Sequence, residues 1–178
     1  SELREIHYSS SVTASLVYDQ NVRAHLPRGF GYLVPRSERN RVLAATFVHN
    51  KFAHRAPADR ALIRCFLGGT RDEKILELPE EEILRIVREE LRQVPGIEAE
   101  PLFAHVYKWK AAMAQYNVGH LEKLERIERL RLKAPPLFLV GNAYKGIGIP
   151  DCVRSGREAA VEAIAAVGLP ELKTTATP

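Results

Sequence analysis

"LFLVGNAYKGIGIPDCVRSGREAAVEAI", residues 137–164, runs from apolar side chains through three glycines into a stretch of small and polar residues. Leu137 to Val140 predicts a buried strand, which Gly141 ends. Gly146 and Gly148 then leave the loop bare at two positions, so its backbone can take unusual dihedrals and another group can lie against it. Pro150 suits a first helical turn and Asp151 suits the positive end of the helix dipole. A helix is therefore expected from Pro150, lined by Cys152, Gly156, Ala159, Ala160 and Ala163, residues small enough to pack closely on a sheet. One strand with one helix cannot bury both of its faces, so this unit should pack into a sheet supplied elsewhere.

Upstream, the patterns are those of a sheet. SVTASLVY (11–18) alternates, with Val12, Ala14, Leu16 and Tyr18 on one face. GFGYLVP (29–35) is a second short strand. RVLAATFVH (41–49) is apolar on both alternations and predicts a central strand covered on both faces. ALIRCFLGG (61–69) is a fourth, reached by the polar crossing loop KFAHRAPADR (51–60). Pro79 and three glutamates begin a helix that turns Ile83, Leu84, Val87, Leu91 and Val94 inward and stops at Pro95-Gly96. PLFAHVYKW (101–109) is a strand with Tyr107 and Trp109 on one face, as core or domain-interface aromatics. GHLEKLERIERLR (119–131) predicts an amphipathic helix with Leu121, Leu124, Ile127 and Leu130 inward and its charges solvated. Pro135-Pro136 marks a boundary, and the tail KTTATP is expected to fray. The fold class is α+β: a mostly antiparallel or mixed sheet with helices, followed by the strand–loop–helix.

Composition narrows the classes of function. A chain of 178 residues with 46% hydrophobic and 27% charged residues builds one domain, or one domain and part of another. No apolar run reaches the roughly 18 residues that a membrane-spanning helix needs, and SELREIHYSS lacks the pattern of a secretory signal. Cys65 and Cys152, without a C-x-x-C pattern, favour a reducing compartment, and the cytoplasm is expected. The net charge of +4 is spread along the chain, which argues against nucleic acid. Arg23, Arg28, Arg36, Arg39 and Arg41 form the one local excess, either solvated or a rim for a polyanionic small molecule. Six histidines lack metal-ligand spacing, so no metal site is expected. His120 caps or packs at its helix start, Cys152 reads as a buried small residue, and no side chain stands out as an acid or base catalyst.

The helix start at Pro150 turns free N–H groups toward whatever lies beyond the glycine loop, where a phosphate or the electron-rich edge of a flavin would fit. A plain tight turn is the alternative, because Asp151 stands where G-x-G-x-x-G would have its third glycine.

GNAYKGIGIPDCVRSGREAA (141–160) closely resembles the C-terminal signature of the protoporphyrinogen oxidase family, within the flavin amine oxidase superfamily. GFGYLVPRSE (29–38), KFAHRAP (51–57), FLGGTRDE (66–73) and WKAAMAQYNVGH (109–120) resemble the same family in the same order, so the likeness covers nearly the whole chain. It implies an FAD enzyme more than twice this length, with the missing N-terminal portion carrying the dinucleotide fingerprint. Residues 1–134 would belong to the substrate-binding domain, 135–168 would complete the FAD-binding α/β domain, and 169–178 would be a tail. The resemblance further implies that Asn142, Ile147, Gly148 and Ile149 contact FAD, with the helix dipole aimed at the flavin N1/C2 edge. Phe30, Leu33 and Phe47 would line an apolar porphyrin pocket, with core packing as the alternative for each.

The implied reaction takes hydrogen from protoporphyrinogen IX to FAD, with oxygen as the acceptor, and yields protoporphyrin IX for haem. Peripheral membrane association of the full-length enzyme is also implied. These residues alone are expected to be inactive and to self-associate through surface left uncovered. One departure is Ala114 before Gln115-Tyr116, where the family often has proline. Two other readings stay open: an amine oxidase or carotenoid desaturase relative, and a stand-alone binding module without the cofactor half.

Overall fold

Alternating apolar residues in 8–18 and 61–68 make two long strands that pair antiparallel in the computed structural model, which describes residues 2–38, 40–134 and 136–168. Ser1, Arg39, Pro135 and the tail 169–178 lie outside the described residues. The chain forms two compact units, one of Ser9–Ala112 and one of Ser1–Tyr8 with Met113–Pro178.

In the larger unit β1 (Tyr8–Tyr18) buries Val12, Ala14, Leu16 and Tyr18, as the period of two requires. It pairs with β4 (Ala61–Gly68) from Ser11 opposite Gly68 to Tyr18 opposite Ala61. β3 (Val42–Phe47) lies antiparallel on the other edge of β4, and β2 (Gly31–Leu33) lies antiparallel on β3. β5 (Phe103–Ala114) completes a five-stranded sheet of order β2-β3-β4-β1-β5. β4 is thus the middle strand, and β3, from the predicted central stretch 41–49, lies inside the sheet between β2 and β4. β3 buries Val42, Ala45 and Phe47, leaves Leu43, Ala44 and Thr46 half-buried, and shifts register between Val42 and Ala44. The strand also stops at Phe47, because Val48 and His49 turn into α2 (Val48–Lys51), where both are buried. Gly31 has φ +141°, and a Cβ there would stand 2.0 Å from the Ala45 carbonyl oxygen, so only glycine lets β2 approach β3 this closely.

The sequence reading did not mark α1 (Gln20–His25), although Asp19 is an N-cap signal, accepting from Asn21 N at 2.8 Å and Val22 N at 3.2 Å. Arg23 on that helix donates to the carbonyls of Pro57 at 3.0 Å and Arg60 at 2.9 Å, which holds the crossing between β3 and β4. α3 (Glu80–Gln93) packs Ile83, Val87 and Leu91 on the sheet. Its Glu90 carboxylate accepts from Arg41 N at 2.8 Å and Val42 N at 2.9 Å, tying the helix to the start of β3. Val94, expected inward, is 50% exposed because the chain turns away at Gly96 and Ile97 enters the core instead.

Tyr107 and Trp109 are also corrected as core residues. Their rings lie 4.4 Å apart but are half exposed on the edge strand β5, where Val106 is the core contact. Trp109 Nε1 donates to Thr13 Oγ1 at 3.1 Å.

This core carries a pH signature. Burial pushes the Cys65 thiol and the Tyr18 phenol each up to about 12, from ordinary values of 9.0 and 10.0. Both groups hold their protons in the folded state after the unfolded chain has released them. Their contribution to stability is complete below about pH 9 and is lost as pH rises toward about 12. Denaturant midpoints measured at pH 8 and near pH 11 should fall accordingly, and Cys65→Ser should shrink the difference.

In the smaller unit, α4 (His120–Arg131) and α5 (Ile149–Ala166) accompany a cluster of Ile6, Ile127 and Ala143, with Tyr8, Ala114, Leu124, Leu139 and Tyr144 packed on it. Lys123 Nζ donates to the Glu5 carbonyl at 2.7 Å, and Arg126 pairs with Glu2 at 2.9 Å. Leu121 and Leu130 were expected inward but are exposed, because the cluster covers only the Leu124–Ile127 side of α4. The predicted strand at Leu137–Val140 is likewise corrected. Among the described residues it has no ladder partner, and it is exposed to half-buried, as one extended segment cannot satisfy its backbone without a neighbouring strand. Among the described residues no helix is long and apolar enough to cross a membrane, and no group of side chains could hold a metal ion.

Candidate functional site

The glycine-bearing loop 141–148 and the first turn of α5 form the site. Helix α5 begins at Ile149 with Pro150 in the first turn and Cys152 N bonded to Gly148 O at 3.0 Å. No side chain caps that turn. Its leading N–H groups therefore lack the side-chain acceptor that usually serves them.

Ile147 and Ile149 flank Gly148 and are 69% and 81% exposed. Asp151 leans back over Gly146, where a Cβ would come within 2.5 Å of its carboxylate, and pairs with Arg154 at 2.6 Å. A carboxylate already placed there disfavours a phosphate dianion, since like charges at this range repel. The same turn still suits the weakly negative edge of a neutral, flat molecule, with the two isoleucines as apolar contacts. That donor set fits the carbonyl edge of a flavin.

The loop is held from behind. Tyr116 Oη donates to the Asn142 carbonyl at 2.8 Å. Partial burial raises the Tyr116 phenol, so at neutral pH the hydroxyl keeps the proton it donates. The Tyr116 ring stacks on His120, with centroids 4.1 Å apart and planes 12° apart. His120 is buried at the start of α4 behind left-handed Gly119, and its Nε2 has no hydrogen-bond partner among the described residues. Beside the loop lies a cavity of about 880 Å³ with His120, Leu124, Phe138, Leu139, Gly146 and Ala159 among its walls.

The sequence-predicted cofactor residues Asn142, Ile147, Gly148 and Ile149 all stand on this loop and helix start. The small-residue face of α5 is less covered than expected: Cys152, Gly156, Ala159 and Ala163 are half-buried and Ala160 is exposed. The reading of Cys152 as buried is corrected in the same way, since the unit supplies no sheet for α5 to lie on. The predicted substrate residues belong to the other unit. Phe30 and Leu33 are 66% and 82% exposed, whereas Phe47 is 2% exposed, in the core against Tyr32 at 6.2 Å between ring centroids. The Tyr116 contact with the loop has no signal in the sequence, because it joins residues 26 positions apart.

Residues 1–164 match the model of the flavin containing amine oxidoreductase family. The coproporphyrinogen III oxidase of Bacillus subtilis is 31% identical over 92% of this chain and 35% of its own length. Human protoporphyrinogen oxidase is 32% identical over 90% of the chain and 35% of its own length. The chain thus spans about a third of the length of these curated relatives. A solved structure from Exiguobacterium sp. 255-15, assigned by name to protoporphyrinogen oxidase, superposes with a TM-score of 0.82 at 27% identity, over 94% of this chain and 36% of that one. A putrescine oxidase structure shares the fold at a TM-score of 0.61 and 19% identity. The family supplies oxidoreductases that use a flavin, and its model runs through the sheet, the loop and the start of α5 alike: the chain belongs to the flavin containing amine oxidoreductases.

Proposed function

We propose that this chain is the substrate-sheet and flavin-closing portion of an FAD-dependent oxidase that converts a porphyrinogen to its porphyrin with oxygen as acceptor. The observation that carries this reading is the uncapped first turn of α5, flanked by exposed Ile147 and Ile149 and already holding Asp151. Its character suits a flavin's pyrimidine edge better than a phosphate. The names of the relatives supply the substrate class, since coproporphyrinogen III and protoporphyrinogen oxidases match over nearly the whole chain.

The bound FAD would supply the hydride-accepting chemistry. This chain's residues would hold it in place. The backbone N–H groups at 149 and 151 would face the N1/C2 edge, where the helix dipole favours the negative charge that accumulates on reduction. Asn142 and Gly148 would offer backbone contact, and Ile147 and Ile149 would exclude water from the ring. Phe30 and Leu33, exposed on and beside β2, are the apolar residues proposed to meet the porphyrinogen.

The test uses the complete natural gene product that contains these 178 residues. After incubation with FAD and desalting it should keep visible flavin bands, release FAD on denaturation, and turn a porphyrinogen into fluorescent porphyrin in air. A desalted protein without flavin would overturn the cofactor reading. A flavoprotein that oxidises an amine such as putrescine and leaves both coproporphyrinogen and protoporphyrinogen unchanged would overturn the substrate reading.

A further inference from the structure

We propose that Arg64 binds a carboxylate of the porphyrinogen on the open face of the sheet. The inference rests on the substrate reading above and adds the polar contact that Phe30 and Leu33 cannot supply. Side chains alternate along a strand, and residues directly opposed on antiparallel strands share a face. Ala14, Ile63 and Cys65 lie in the core with the apolar stripe of α3. The opposite face carries Leu33, Ala44, Phe66 and Thr13 in one row, each paired with the next across β2, β3, β4 and β1. Trp109 on β5 extends that row through its hydrogen bond to Thr13. Leu33, Phe66 and Trp109 are all exposed, so the row is open to solvent. Thr46, Arg64 and Ser15 form the adjacent row, and Leu62 and Val17 belong to the one after it. Arg64 therefore stands on the middle strand with small or apolar side chains on each flank.

Its guanidinium is short of partners. Arg64 is half-buried, and its Nε donates to Ser15 Oγ at 3.3 Å. Among the described residues its two terminal nitrogens make no hydrogen bond and no carboxylate pairs with it. Arg41, at the start of β3, shows the contrast, since its Nε is paired with Asp72 at 2.7 Å. A charge set among apolar neighbours is costly without a counter-ion. The planar fork left free is the arrangement that holds a carboxylate through two parallel bonds. The fitting occupant is thus a carboxylate on an apolar body. A porphyrinogen has that chemistry, with propionate arms on a tetrapyrrole ring. The dimensions agree: adjacent strands lie about 4.8 Å apart, so the row from Leu33 to Trp109 spans about 19 Å. A macrocycle laid along that row, over Phe66, brings an arm to Arg64.

The test uses the complete gene product with two probes, coproporphyrin III and its uncharged tetramethyl ester, their binding followed by tetrapyrrole fluorescence. Arg64→Gln should weaken binding of the acid about tenfold, as expected for a charge-assisted hydrogen bond, and leave the ester unchanged. KM for coproporphyrinogen III should rise by a similar factor, with the flavin content and the urea midpoint of the parent retained. Arg64→Lys should fall between the two, because an ammonium keeps the charge and loses the fork. Ser15→Ala, which removes only the bond to Nε, should leave the acid's affinity close to that of the parent. An Arg64→Gln protein that binds the acid as its parent does would overturn the proposal. Equal weakening for acid and ester would also overturn it, since Arg64 would then shape the face without meeting a carboxylate. Should the glutamine variant fail to fold, the lysine variant decides: parental affinity for the acid, or a loss shared with the ester, overturns the proposal. A parent protein that oxidises neither porphyrinogen is a different outcome, which would defeat the substrate reading first and this inference with it.

Discussion

Phe47→Ala is expected to lower the stability of the protein by about 3–5 kcal/mol, whereas Phe30→Ala and Leu33→Ala should each move it by less than about 0.5 kcal/mol. The three residues share a chemistry and a stretch of sequence, but the fold uses them differently. Phe47 is 2% exposed at the end of β3, pairs with Ile63 across to β4, and meets the edge of Tyr32. Truncation there removes a full ring from a packed interior and leaves a cavity that the sheet can only partly close. Phe30 and Leu33 have most of their surface in water already. If they meet a porphyrinogen, their loss should appear in KM for that substrate and leave the denaturation midpoint in place. Urea titration of the three variants, with steady-state kinetics for the two exposed ones, separates core packing from substrate contact. A Phe47→Ala protein as stable as its parent would mean that the ring is not part of the core.

Gly146→Val should have the second-largest effect, costing about 2 kcal/mol of loop stability and at least about tenfold in flavin affinity. The backbone at Gly146 has φ +92°, which a β-branched residue adopts only under strain. A Cβ there also meets the Cβ, Cγ and Oδ2 of Asp151 within 2.5–2.6 Å, so more than the tip of that side chain must move. Asp151 sits in the first turn of α5 and is held by Arg154. Displacing it alters the charge at the helix start, and relaxing φ alters the loop leading into it. Flavin affinity by fluorescence titration is the measurement, and a variant that binds as its parent does would disconnect loop geometry from cofactor binding. Gly148→Ala is the milder control, since its nearest contact is 3.2 Å from Asp151 Oδ2 and its φ is ordinary.

The sheet was largely legible because its signals are local and strong. Alternation in 11–18 and 61–68, and the apolar stripe Ile83, Val87 and Leu91 after a proline and three acids, each specify an element whose buried partner lies in the same unit. The readings that failed were those whose burial needed a partner absent from the unit. Leu137–Val140, Leu121, Leu130 and the small face of α5 have the apolar pattern of covered elements and remain partly open to solvent. A pattern states that a face is suited to burial and does not state what buries it. Within β3 the register shift at Val42/Ala44 places residues on faces that strict alternation does not assign.

At the site, the glycines and the helix start were visible as spacing, while the Tyr116 contact was not. A bond from residue 116 to residue 142 spans 26 positions and has no periodic trace. The departure at Ala114 proved compatible with an ordered turn, since Gln115 Nε2 reaches the Met113 carbonyl at 3.0 Å.

The lone tryptophan gives this fold a built-in optical label. Trp109 stands on the outer strand of the sheet, half in water, with its indole N–H on Thr13 of β1 and the Tyr107 ring beside it. Its emission colour and quantum yield report whether that one strand is still zipped to its neighbour. Since no other indole contributes, a red shift during unfolding would time the peeling of the sheet edge, while far-ultraviolet dichroism follows the helices. Two probes on one sample would thereby reveal whether the halves of the molecule melt together or in succession.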